Sequence, residues 1–222
     1  MHEARDINDV RLKNRPTIAL TLRVTNAERY VEPRDAISHD WLRLLSSWDM
    51  TPVLIPNLLP DVGAYFDALG PDLLILTGGD DPGATPDRDA TETLLLEHAL
   101  AHKRPVLGVC RGMQMINIHF GGRLTPITGH VATNHAVAIE PRWQDFYGAH
   151  TTVNSFHGQG IAPETLADGL LVSATDAAGA IEGVVHKSLP LAAVMWHPER
   201  AASASEDRQL ITRLVSEGAF WA

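Results

Sequence analysis

Two short apolar runs constrain this chain more than any other feature. Asp72-Leu-Leu-Ile-Leu-Thr77 and Pro105-Val-Leu-Gly-Val-Cys110 are each uninterrupted and β-rich, and each ends in a glycine-bearing turn. A half-exposed strand alternates apolar and polar residues, whereas a strand inside a helix-covered parallel sheet is apolar throughout. The flanking segments fit that setting. Residues 17–24 and 52–56 read as further strands, while helical spacing or capping marks 35–47, 61–69, 91–102 and 111–120. This β-α-β-α order predicts an α/β fold, a doubly wound, mostly parallel sheet flanked by helices. Strands expected around 136–139 and at 169–174, 181–186 and 191–196 add a small extra β region, and a helix over 207–218 closes the chain. The 222 residues read as one domain, with residues 1–15 expected to be flexible.

Composition narrows the function classes. The chain carries 18 Lys and Arg against 27 Asp and Glu, a net charge of −9 that disfavours nucleic acid and anionic membrane as partners. The first 16 residues are charged and have no apolar core, so neither a secretory signal nor an anchor is expected. A single cysteine, Cys110, rules out an intrachain disulfide and a multi-thiolate metal site, and fits a cytoplasmic location.

That cysteine sits in Gly108-Val-Cys110-Arg-Gly112, at a strand-to-helix junction, in the form of a nucleophile elbow. A tight turn there holds the thiol out in a cleft. The free amides and positive end of the following helix are expected to lower its pKa. The Arg111 amide and an amide of Gly78-Gly79, at the end of the adjacent strand, are placed to receive an oxyanion. Downstream, Trp196-His-Pro-Glu199 puts His197 and Glu199 on one face of an extended segment stiffened by Pro198. A carboxylate beside an imidazole holds its tautomer and stabilises the imidazolium, so Cys110, His197 and Glu199 read as nucleophile, base and orienter. His157 is the alternative base.

These residues resemble the class I glutamine amidotransferases, and within them the gamma-glutamyl-gamma-aminobutyrate hydrolase family. The resemblance rests on Leu76-Thr-Gly-Gly-Asp80, Arg88-Asp-x-x-Glu92, the run Pro105 to Asn117, Gly121-Gly122, Val153-Asn-Ser-Phe-His157 and Met195-Trp-His-Pro-Glu199, in family order over most of the chain. It implies attack by Cys110 on a gamma-glutamyl carbonyl, oxyanion amides from Gly79 and Arg111, and glutamyl contacts from Gly78, Gln114, Asn154, Ser155 and His157. It also implies a single-domain hydrolase with no metal or organic cofactor. Two departures stand out: Asp80 to Asp87 is short, and Gly158 replaces a second histidine.

A finer similarity, in Tyr30-x-Glu-x-Arg34, Leu54-Ile-Pro-Asn57 and Gly129-His-Val-x-x-Asn-His135, is to the gamma-glutamyl-CDP-amidate hydrolases of capsule phosphoramidate biosynthesis. It would give Arg23, Arg34, Arg111, His130 and His135 a pyrophosphate to neutralise. The expected partner is a small gamma-glutamyl molecule, with a homodimer left open. Two other readings remain at this level: a glutaminase subunit feeding ammonia to a separate synthase, and a non-catalytic binding domain of the same fold.

Overall fold

A computed structural model describes residues 15–200 and 206–222. The expectation for the N-terminal segment falls almost wholly outside them. The chain begins with β1 (Thr17–Thr21), β2 (Arg23–Asn26), β3 (Pro33–Ala36), α1 (His39–Ser47), β4 (Thr51–Ile55), α2 (Val62–Leu69), β5 (Leu73–Leu76) and α3 (Pro86–Ala101). It continues through β6 (Val106–Val109), α4 (Arg111–His119), β7 (Thr125–Pro126), β8 (Val131–Ile139), α5 (Gln144–Tyr147), β9 (His150–Phe156) and β10 (Gln159–Gly160). The last elements are β11 (Leu170–Asp176), β12 (Ile181–His186), β13 (Leu191–Val194) and α6 (Asp207–Glu217).

Nine strands form the main sheet in the order β4-β1-β5-β6-β13-β12-β11-β8-β9. The first five are mutually parallel. From β13 onward the pairings are antiparallel, so the extra β region is a continuation of the doubly wound sheet. Period-two alternation divides the apolar runs between its faces. Ile18, Leu20, Leu73, Ile75 and Leu107 face a core shared with Trp41 and Leu45 of α1 and Leu210, Ile211 and Leu214 of α6. Ala19, Leu74, Leu76 and Val106 face Phe66 of α2, Leu95 and Leu96 of α3, and Met113 and Ile116 of α4. The runs that read as buried on both faces are buried on both faces, with every residue of β5 and β6 inaccessible. Among the described residues no helix is long and apolar enough to cross a membrane.

Several boundaries differ from the pattern reading: the strand expected over 191–196 ends at Val194, helix α3 begins at Pro86 rather than Thr91, with Thr85 as its N-cap and Pro86 in its first turn, and three others shift for local reasons. The first strand breaks at Leu22, and Arg23–Asn26 leaves the sheet to pair with β3. Helix α1 starts at His39 rather than Asp35, because Ser38 is extended and its hydroxyl caps the amide of Asp40 at 3.3 Å. The short strand expected near 136–139 is a nine-residue β8 paired along most of its length with β9. Its outer half is polar and partly exposed, which hides it from a search for apolar alternation.

Candidate active site

The parallel strands β5, β6 and β13 end side by side, and the residues just beyond their C-terminal ends build the site, where crevices of open α/β sheets lie. Val109 is in register with Val194, and the Cys110 amide donates to the Val194 carbonyl at 2.8 Å. The nucleophile candidate is thus one residue past β6 and the base candidate three residues past its neighbour β13.

Cys110 is the N-cap of α4 with φ 52 and ψ −104, a conformation L residues adopt rarely and at a cost of about 1–3 kcal/mol. The glycines around it explain how the turn closes. A side chain on Gly112 would lie on the Leu76 carbonyl, and one on Gly108 would come within 2.8 Å of the Gly112 backbone. The elbow therefore packs β5, β6 and α4 at backbone contact distance.

The thiol itself corrects one expectation. Cys110 is buried, and burial pushes its pKa up to about 12; the Arg111 amide pulls the other way without prevailing, and Glu199 adds to the rise. Desolvation of the thiolate outweighs the helix end here. At rest the group is a thiol, so a base must take its proton.

His197 is the candidate for that base. Its Nδ1 lies 2.7 Å from Glu199 Oε1, with both side chains buried, which leaves Nε2 as the ring nitrogen that can act on a thiol. The backbone of His197 is held from a second strand: its amide donates to Asn154 Oδ1 at 2.9 Å and its carbonyl accepts from Asn154 Nδ2 at 2.9 Å. A Cβ on Gly78 would sit 2.6 Å from His197 Cε1, so the missing side chain at Gly78 makes room for the imidazole. Phe156 meets the same ring edge-on at 5.7 Å, and Arg200 covers Phe156 at 4.1 Å.

The Gly78-Gly79 loop rests on a buried ionic network whose members the sequence displayed without a role. Arg88 Nη2 donates to the carbonyls of Thr77 at 2.7 Å and Gly78 at 3.1 Å. Its Nε donates to Glu92 at 2.9 Å, and Thr21 Oγ1 donates to the same carboxylate at 2.8 Å. Gly79 has φ 153, and a side chain there would strike the Arg88 guanidinium. The Arg111 guanidinium lies fully buried in this network, paired with Glu92 and Asp89. It is therefore not placed to meet a pyrophosphate.

The remaining sequence candidates separate. Gln114 is buried rather than on the helix surface; its Nε2 donates to the Gln159 carbonyl at 2.9 Å, and Oε1 has no partner among the described residues. Ser155 donates its hydroxyl to the His130 carbonyl at 2.8 Å. Arg23 lies beside the oxyanion loop, its Cβ 3.5 Å from where a Cβ on Gly79 would be. Arg34 is turned to Glu32 and Tyr30 at 2.6 and 2.9 Å. His130, His135 and His157 converge instead on Glu182, which was not singled out from the sequence, although a lone acid in the apolar strand Ile181-Glu-Gly-Val-Val is the signal that marks it.

A profile of the Peptidase C26 family matches residues 16–199, from just before β1 to Glu199. The chain belongs to the Peptidase C26 family. Within the wider relationship it is 28% identical to the gamma-glutamyl-CDP-amidate hydrolase of Campylobacter jejuni, over 82% of this chain and 90% of that one. It is 29% identical to the gamma-glutamyl-gamma-aminobutyrate hydrolase of Escherichia coli, over 75% and 74% respectively. A crystal structure of a glutamine amidotransferase from Thermotoga maritima superimposes with a TM-score of 0.60 at 15% identity, covering 89% of this chain and 82% of that one, a likeness of fold. Some relatives are longer: the match spans 66% of a glutamine amidotransferase-like protein of Lactococcus lactis. The chain is thus a Peptidase C26 member with the class I glutamine amidotransferase-like fold.

Proposed function

We propose that this Peptidase C26 member is a cysteine hydrolase that cleaves a gamma-glutamyl amide-type bond through a gamma-glutamyl thioester. The observation that carries the reading is the base: a buried imidazole with Nδ1 on Glu199 and its backbone clamped by Asn154, just past the strand that neighbours the Cys110 elbow. Sγ attacks the gamma-carbonyl carbon while His197 Nε2 accepts the thiol proton. The oxyanion forms against the amides of Gly79 and Arg111. Its collapse breaks the bond to nitrogen, and His197 gives its proton to the leaving nitrogen. A water then attacks the thioester as His197 takes its proton; the C–S bond breaks, glutamate leaves and the thiol is restored.

For the glutamyl moiety, Gln114 offers a carboxamide oxygen without a protein partner. Gly78, Asn154, Ser155 and His157 act on it through the shape they give the cleft. Arg23, beside the oxyanion loop, is the cation best placed for an anionic part of the substrate. The similarity to the two named hydrolases supports gamma-glutamyl-CDP-amidate or a gamma-glutamyl-GABA-like compound as the substrate.

The test is glutamate release from gamma-glutamyl-CDP-amidate, gamma-glutamyl-GABA and glutamine at equal concentration. One of the first two is expected to turn over fastest. Cys110→Ala is expected to lower kcat by about a thousand-fold or more with the far-ultraviolet dichroism unchanged. Undiminished turnover by the folded variant would remove Cys110 from the mechanism, and strong preference for glutamine only when a synthase is added would favour an ammonia-supplying subunit.

A further inference from the structure

Beside the candidate site, three side chains from three segments meet inside the protein. His130 precedes β8, His157 follows β9 and Glu182 lies on β12, and all three are buried. His130 Nδ1 is 3.3 Å from His157 Nε2 and 3.4 Å from Glu182 Oε1, and His157 Nε2 is 3.6 Å from that same oxygen.

The outer partners decide which nitrogens carry hydrogen. His157 Nδ1 faces the Gln159 carbonyl at 3.0 Å, an acceptor only, so the proton is on Nδ1 and Nε2 is bare. His130 Nε2 faces the Asp176 carboxylate at 3.1 Å, so its proton is on Nε2 and Nδ1 is bare. Two imidazole lone pairs and a carboxylate oxygen then point at one another, and Glu182 has no hydrogen-bond partner for either oxygen among the described residues. Such an arrangement repels itself unless a metal cation or a proton sits among the three atoms.

The spacing suits one. Tetrahedral coordination with bonds of about 2.0–2.1 Å separates neighbouring ligand atoms by about 3.3–3.4 Å. Imidazole–carboxylate and imidazole–carbonyl pairs behind the ligands are the usual outer support of a metal-bound histidine. His135 stands behind the carboxylate, its buried Nε2 3.8 Å from Glu182 Oε2, outside the group of three atoms that face one another.

We propose that His130, His157 and Glu182 are the three protein ligands of a tetrahedral site for a divalent cation of the zinc class, with water in the fourth position. The hydrolysis proposed above needs no metal, so this ion is structural. It ties both ends of the β8–β9 hairpin to β12. That hairpin carries the Asn154 clamp on the base, and Glu182 accepts the Met195 amide at 2.8 Å two residues before His197.

The experiment is zinc titration of the chelator-treated full chain against a chromophoric competitor, followed by X-ray absorption of the zinc-loaded protein. One zinc per chain is expected, with a first shell of nitrogen and oxygen at about 2.0–2.1 Å and no sulfur at about 2.3 Å. Asp176→Asn, which removes the charge behind His130 Nε2 and keeps an oxygen for the Ala178 and Ala180 amides, is expected to weaken zinc binding by about tenfold or more; His157→Ala is expected to abolish stoichiometric uptake. No uptake by the unaltered chain would mean that a proton joins the cluster and overturns the proposal. A sulfur neighbour in the absorption spectrum would place the ion on Cys110 and also overturn it. Both decisive readings come from the unaltered protein, so a variant that fails to fold does not spare the proposal.

Discussion

At the scale of single residues, the site is governed by what burial does to charge. A thiol whose pKa is pushed up to about 12 is protonated across the range in which proteins work. Under the proposed mechanism its nucleophilicity is generated in the attack, by transfer to His197, rather than stored as a resting thiolate. Alkylation of Cys110 by iodoacetamide in the absence of substrate follows from this: it is expected to be slow near pH 7 and to climb about tenfold per pH unit beyond pH 9 without levelling. A plateau reached between pH 6 and 7 would reveal a standing thiolate–imidazolium pair instead. The sequence displayed the elbow and the His-Pro-Glu pair because each is contiguous. It could not display the sign of the thiol's shift, since desolvation depends on what packs over Cys110 from distant segments. Nor could it show that Asn154, 43 residues from His197, holds that residue's backbone.

At the scale of elements, α3 is the support of the Gly78-Gly79 loop, the oxyanion site of the proposed mechanism. Arg88 enters from its first turn and fastens two successive carbonyls of the loop, while Glu92, one turn later, neutralises both Arg88 and Arg111. Breaking a buried pair from one side leaves an uncompensated charge and costs about 3–5 kcal/mol. Arg88→Met is therefore expected to lower the thermal midpoint by about 10 °C or more in a chain of this length. In the folded fraction kcat is expected to fall with little change in KM, because the loop's amides lose their aim. A folded variant with full kcat would show that the loop is held without Arg88. The elements themselves were legible where both faces are buried, as in β5 and β6, or where a cap is local, as at Asp61, whose carboxylate accepts from the Ala64 amide at 2.8 Å. They were obscure in β2, β3, the outer half of β8 and β9. Those strands are polar and partly exposed, and cross-strand pairing rather than an apolar pattern specifies them.

At the scale of the whole molecule, the layer formed by α1, α5 and α6 is fastened to the sheet through Asp207. Its carboxyl accepts from Tyr147 at 2.8 Å and from the Trp196 indole at 3.1 and 3.2 Å, and Trp196 immediately precedes the base. Burial pushes the Asp207 pKa up to about 7 against the two hydrogen bonds that oppose it, with Glu206 and Glu199 adding to the rise. The folded protein therefore holds a proton that the unfolded chain has released above pH 4 or so. Stability from this group is complete below the unfolded value near 3.8 and is lost as pH rises towards 7. The loss amounts to about 4 kcal/mol by linkage, a shift of roughly 8–16 °C for a chain of this size. Carboxylates whose pKa is lowered in the fold, Asp67 and Asp80 among them, act in the opposite sense in acid, so the readout is the difference between the unaltered chain and Asp207→Asn. That variant cannot ionise and still offers an oxygen to Trp196 and Tyr147. Its thermal midpoint is expected to gain on that of the unaltered chain steadily from pH 4 to pH 7 and to hold a constant lead above pH 8. A difference that does not change with pH would mean that Asp207 is ionised in the fold at pH 5, its charge carried by the phenol and the indole alone.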